Sequence, residues 1–249
     1  MLKLLRFELH KLIRQKSFYI CLAVLLLMIV FSAYTTQLSL EESEITVPTL
    51  NGLDYMMEAQ SGSVLTMILG VFIPLFVCED YVSGTIRNIV TRGYSRLSIF
   101  TAKLIVVLLA SVFMGAACMA TAYGLGTAFW GAGAEFGSEQ VKILLCQLAV
   151  AAATAALFYA ISTLLQKTGG SIAVCLVLPI AAAIILALID TALAEHELDL
   201  VSYWIDRVGR SLAFATVEAD VMKKSLIISL CYFAVSIVGG WLCVMRREY

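Results

Sequence analysis

Six stretches without a single Asp, Glu, Lys or Arg divide this chain, at residues 17–40, 59–78, 104–134, 143–166, 168–189 and 225–245. Each is about twenty residues or longer, enough for a helix to cross a hydrocarbon core roughly 30 Å thick. The expectation is an all-α integral membrane protein. It is a six-helix bundle in a single transmembrane domain over residues 1–249, with spans at 17–36, 61–78, 99–129, 143–166, 172–192 and 225–245. A composition that is 61% hydrophobic excludes a single soluble globular domain, whose surface needs far more polar side chains.

Cytoplasmic segments keep an excess of Lys and Arg, which fixes the expected orientation. With the N-terminus inside, twelve of the 17 basic residues are cytoplasmic: five in residues 3–16, then Arg87, Arg92, Arg96 and Lys103, then Lys167, Arg246 and Arg247. Lys142, Arg207, Arg210, Lys223 and Lys224 remain outside, where acidic residues gather at Glu41, Glu42, Glu44, Asp54 and Glu58 and again from Asp190 to Asp220. Both termini are therefore expected in the cytoplasm. The net charge of −1 conceals this asymmetry, and no basic patch with interleaved aromatics points to a nucleic-acid partner.

Residues 2–16 place Leu2, Leu5, Leu9, Leu12 and Ile13 at helical spacing, with Lys3, Arg6, Lys11 and Arg14 around the other faces. The segment reads either as an amphipathic helix lying on the inner membrane surface or as a basic topogenic tail. Its long basic flank and the length of the apolar run argue against a cleaved leader. No ionisable residue stands near the centre of any span, which disfavours a self-contained proton-driven transporter. Small residues recur every fourth position at Ala116, Ala120, Gly124 and Ala128 and at Ala152, Ala156 and Ala160, a pattern for close helix packing in a bundle or a dimer. Pro74 and Pro179 are candidate kinks. The seven cysteines lie in or beside apolar spans without a CxxC pair, so neither a disulfide framework nor a zinc site is expected.

The richest local pattern follows the second span, from Cys78 to Arg96. Val82, Ile86, Ile89 and Val90 keep helical spacing, Arg87, Asn88, Thr91 and Arg92 face elsewhere, Gly93 is a helix stop, and Ser95 is the N-cap of the third span. On these residues alone it is either a short helix across the cytoplasmic face or a solvated basic loop. Glu79 at the end of the second span is expected to pair with a nearby Arg and set the angle of the loop.

This segment resembles the ABC type-2 exporter permeases. Their pattern is an acidic residue at the inner end of the second span, then Gly-Thr, a basic residue, Asn, and a Ser-Arg pair, here Glu79, Gly84-Thr85, Arg87-Asn88 and Ser95-Arg96, with Lys103 also in a familiar place. The family commonly has Pro shortly before the Ser-Arg pair, where this chain has Gly93-Tyr94. The resemblance implies a membrane subunit whose coupling helix between the second and third spans sits in a groove of a separate ABC ATPase subunit. A second permease, a copy or a related chain, would complete the route. No cofactor is expected in this chain, with ATP and Mg bound by the partner, and the chain lacks the G-x-x-x-x-G-K-[ST] phosphate loop. The implied location is the bacterial cytoplasmic membrane, multi-pass and in contact with lipid. The implied substrate is hydrophobic or amphipathic, as for bacteriocin-immunity, lantibiotic-immunity or drug-efflux permeases.

The segment from Gln166 to Ser171 is a second inner contact or a tight turn. Outside, Val201, Trp204, Ile205 and Val208 share one side of an amphipathic segment and are a possible outer gate or a plain amphipathic loop. Glu195, His196, Glu197 and Asp199 do not converge on one helical face, so no metal site is expected. The only histidines, His10 and His196, lie near opposite faces, which excludes an intramembrane metalloprotease and leaves no enzyme class favoured. A structural or sensory membrane subunit is the alternative to transport.

Overall fold

The computed structural model describes residues 2–42, 51–61, 63–133, 137–192, 200–213 and 217–246. Glu195, His196, Glu197, Asp199 and Arg247 lie outside the described residues. Among the described residues the fold is all-α: α1 (Leu2–Arg14), α2 (Lys16–Glu42), α3 (Gly52–Ser61), α4 (Ser63–Val82), α5 (Thr85–Thr91), α6 (Arg96–Trp130), α7 (Ser138–Leu165), α8 (Thr168–Ala192), α9 (Ile205–Arg210) and α10 (Ala219–Arg246). Six of them, α2, α4, α6, α7, α8 and α10, are long and apolar enough to cross a membrane.

Helix α7 is central, with α4, α6, α8 and α10 packed on it, while α2 closes the other side of α4 and α6. The core is aromatic and aliphatic, built on Phe72, Phe76, Phe158, Tyr159, Met114 and Leu69. Helix α8 is peripheral and turns Val177, Ile180, Ile184 and Leu188 outward. Pro179 removes the helical donor from the Cys175 carbonyl. That oxygen faces Gly70 of α4, where an added Cβ would lie 3.5 Å away.

The 35 residues of α6 measure about 52 Å at 1.5 Å per residue, well beyond the hydrocarbon thickness. Its ends therefore reach past the bilayer and organise both faces. At the near end it starts on Ser95, whose Oγ accepts from the Ser98 N–H at 3.3 Å. At the far end it packs against α3, a helix that the acidic character of residues 41–58 concealed. Helix α3 buries Leu53, Tyr55, Met56, Met57 and Gln60, leaving Glu58 exposed. Its approach to α6 is backbone to backbone, since a Cβ on Gly126 would stand 2.7 Å from Gly52 Cα. The Tyr55 hydroxyl donates to the Ile29 carbonyl at 2.9 Å and ties α3 to α2.

The small-residue spacing divides in two. Ala156 of α7 is buried in the bundle, and a Cβ on Gly240 of α10 would meet Ala160 at 3.5 Å. Ala116, Ala120, Gly124 and Ala128 instead point out of the chain, a correction to packing within the bundle. The α6 surface that faces inward carries Met114, Cys118, Ala122 and Gly126.

Candidate functional site at the α5 face

Between α4 and α6 the chain turns through Gly84, whose φ of 69° is left-handed and suited to glycine. The seven residues of α5 follow. Ile86 and Ile89 are buried and Val90 is half-buried, whereas Arg87, Asn88 and Arg92 are exposed. Ile89 packs with Leu4 of α1 and with Ile99 and Ala102 of α6. Gly93, at φ 86°, ends the turn, its N–H donating to the Val90 carbonyl at 2.9 Å. Val82 does not share the Ile86 face. It closes α4 and is 74% exposed, because the left-handed Gly84 breaks the helical register between them.

A buried charge cluster lies directly beneath α5. Asp80, at the end of α4, accepts hydrogen bonds from Lys103 of α6 on one oxygen and from Lys11 of α1 on the other. Glu8 of α1 is fully buried 4.0 Å from the Lys103 ammonium, and neither of its oxygens has a hydrogen-bond partner. Burial pushes the Glu8 carboxyl above its ordinary range, with Lys103 opposing and Asp80 adding to the rise. The Phe76 ring lies below both ammonium groups, 5.4 Å from Lys11 Nζ and 5.9 Å from Lys103 Nζ. Three helices are thus joined by two cations sharing one carboxylate.

Glu79 sits at the rim of this cluster and its partner is not an arginine. Gln15 Nε2 donates to Glu79 Oε2 at 2.8 Å, and Lys11 Nζ lies 3.6 Å from the same oxygen. The expected Arg pairing is replaced because α1 packs along α6 and brings Lys11 and Gln15 to the end of α4. Helix α1 accordingly buries Leu4, Glu8 and Leu12, while Leu2, Leu9 and Ile13 stay exposed on its outer side.

Beside α5 opens a cavity of about 410 Å³, lined by Asp80, Tyr81, Gly84, Ile86, Arg87 and Gln166. Gln166 ends α7 at a left-handed φ of 56°, so the short connection to α8 reaches the α5 face. Arg96 is half-buried at the start of α6.

A family model described as ABC-2 family transporter protein matches residues 4–189. This chain belongs to that family. The match runs from α1 into α8 and therefore contains α5 and every member of the charge cluster. A search of curated proteins returns no match.

The permease places the other expected residues at its opposite face. Trp204, Ile205 and Val208 are buried and Val201 is half-buried, with the Trp204 ring edge-on to Tyr232 of α10 at 6.0 Å. Gln147 of α7 stitches that face together, Nε2 donating to the Met57 carbonyl at 3.1 Å and the Leu212 carbonyl at 2.7 Å.

Asp80 and Glu8 were missed as site residues, though their spacing marks them. Asp80 continues the α4 stripe of Leu69, Ile73, Phe76 and Val77, and Glu8 stands midway between Leu4 and Leu12. A carboxylate in phase with a buried stripe implies a buried cation opposite it, and Lys103, in phase with Phe100 and Val107 on α6, supplies it.

Proposed function

We propose that this permease is the membrane subunit of an ATP-driven exporter, with α5 as the helix that receives movement from a separate ATPase subunit. The observation that carries the reading is the division of α5 into a buried apolar face and an exposed face of Arg87, Asn88 and Arg92. The inner face holds the helix to the bundle. The outer face offers charge-assisted hydrogen bonds to a soluble partner.

Glu79, Gly84, Thr85, Ser95 and Arg96 shape the entry and exit of that helix, and Ile86, Ile89 and Val90 seat it. Because Ile89 rests on α1 and α6 immediately above the Asp80 cluster, a push on α5 acts on α1, α4 and α6 as one body. The face carrying α5 and the N-terminal helix is the cytoplasmic one, and both termini lie there, in a bacterial cytoplasmic membrane. A second permease, either a copy or a related chain, completes the route. The apolar spans suit a hydrophobic or amphipathic cargo, with Trp204, Ile205 and Val208 closing the far end. ATP and Mg belong to the partner.

The test is purification of the chain from cells that also express the ATPase encoded beside it, followed by ATP turnover with and without Arg87→Glu. Copurification with turnover changed by the substitution is the expected result. Two well-folded proteins that fail to associate would turn the reading toward a structural or sensory subunit. Unchanged turnover and transport in a Glu79→Ala, Arg87→Ala double variant would remove these two side chains from the coupling role.

A further inference from the structure

Four of the five basic residues on the face opposite α5 fall between positions 207 and 224, against the charge trend of the rest of the chain. Three of them, Arg207, Arg210 and Lys224, line one cavity of about 450 Å³ between α9 and the start of α10, with Ser202, Ser211 and Ser225. No carboxylate lines it among the described residues.

The serine hydroxyls are not its free donors, since Ser211 Oγ donates to the Val208 carbonyl and Ser225 Oγ to the Met222 carbonyl, both at 2.8 Å. Lys224 uses one of its three protons on Ser202 Oγ at 2.9 Å and is braced over the Tyr203 ring at 4.2 Å. Arg210 is partly neutralised by Asp206 at 3.1 Å, whereas Arg207 has no ion pair among the described residues. The cavity thus presents a net positive charge with N–H donors available, the chemistry that holds a phosphate.

Arg210 also lines a second space, of about 380 Å³, between α4 and α8. Its walls are chiefly Met67, Leu176, Pro179, Ile180, Ala183 and Ile184, with Ser63, Thr66 and Asp206 beside Arg210, whose Nη2 donates to Ser63 Oγ at 2.7 Å. Met67, Ile180 and Ile184 are each more than half exposed along it, so the groove opens sideways toward the bilayer. A cationic cavity and an apolar groove meeting at one arginine match an amphiphile with an anionic phosphate head and an acyl tail.

We propose that this face binds a phospholipid of net negative charge from the adjoining leaflet, its phosphodiester between Arg207, Arg210 and Lys224 and one tail between α4 and α8. The proposal does not rest on the transport reading and is tested without ATP or an ATPase.

The full chain, purified in detergent, is given equal phosphatidylglycerol and phosphatidylcholine of matched tails, and bound lipid is counted by native mass spectrometry. Wild type is expected to retain phosphatidylglycerol in preference. Arg207→Gln and Lys224→Gln should each weaken that retention about fivefold, the effect of one cation near an anionic lipid. Ala183→Trp, which fills the groove and leaves every charged side chain in place, should lower retention of both lipids together. Equal retention of the two lipids by wild type, or no change in the charge variants, would overturn the proposal. So would displacement by soluble glycerophosphoglycerol at the lipid's own concentration, which assigns a free-anion site, or a stable dimer that excludes lipid from the groove.

Discussion

The two ends of this permease are held by different physics. At the α5 face, three helices converge on Asp80, and Lys11 and Lys103 satisfy both of its oxygens inside an apolar shell. At the opposite face, the ion pairs Asp206–Arg210 and Asp220–Lys223 involve exposed side chains, and the buried contacts are neutral: two carbonyls held by the Gln147 amide, a tyrosine hydroxyl on a carbonyl, and two glycines in backbone contact. Buried ion pairs are costly to form and far costlier to break singly, so they give a joint that moves whole or not at all. Neutral hydrogen bonds and close packing each contribute little and can be lost one at a time. The first end suits the receipt of a push, and the second suits local rearrangement.

The sharpest way to break this contrast is Lys103→Ala. It removes the buried cation between Asp80 and Glu8 and leaves carboxylates with only Lys11 to answer them. A loss of about 3–5 kcal/mol is expected, the range for removing one partner from a buried pair. Thermal unfolding in detergent measures it. Wild-type stability in the variant would mean that the cluster does not join the three helices.

A smaller effect is expected at the opposite face from Gly126→Val. Its Cβ would meet Gly52 Cα at 2.7 Å, where backbone rather than a flexible side chain must yield. Overpacking of this kind costs about 1–3 kcal/mol, and α3 should lift from α6 while the α5 face keeps its structure. Hydrogen exchange would show faster exchange confined to α3. Gly124→Ala, two positions away, has nothing within 4 Å of the added carbon and serves as the control in which α3 stays docked. Equal loss at both faces would erase the distinction between a rigid end and a divisible one.

Legibility in the sequence follows the same division. The six spans and the Ser95 cap were readable because lipid imposes one strong rule on composition and capping another on position. The apolar face of α5 was readable at Ile86 and Ile89 and misread at Val82, where a single left-handed glycine reset the helical phase. Helix α3 was hidden because Asp54 and Glu58 sit among its apolar residues and its burial depends on Gly126, far away in the chain. The Glu79 partner was misassigned because the choice among cations is made by the packing of α1 along α6, which nothing near residue 79 encodes. The outward direction of Ala116 and Gly124 depends on which side of α6 the other helices occupy, and spacing alone sets no such direction.

The smallest expected effect is also the most specific. Glu8 is buried without a hydrogen-bond partner, and burial raises its pKa above the ordinary carboxylate value of 4.5. For a carboxyl whose folded pKa is raised, the protonated form is the one that folding favours. Its stabilising linkage is complete below the unfolded value and disappears as pH rises through the folded one. The docking of α1 should therefore weaken as pH climbs out of the acidic range, and Glu8→Gln, which keeps the shape and removes the proton, should abolish that part of the dependence. At neutral pH the variant is expected to unfold at the same temperature as wild type or slightly above it. A clear loss of stability at neutral pH would show instead that an ionised Glu8 holds Lys103 in partnership with Asp80, making the cluster a four-membered ion network in which no member is dispensable.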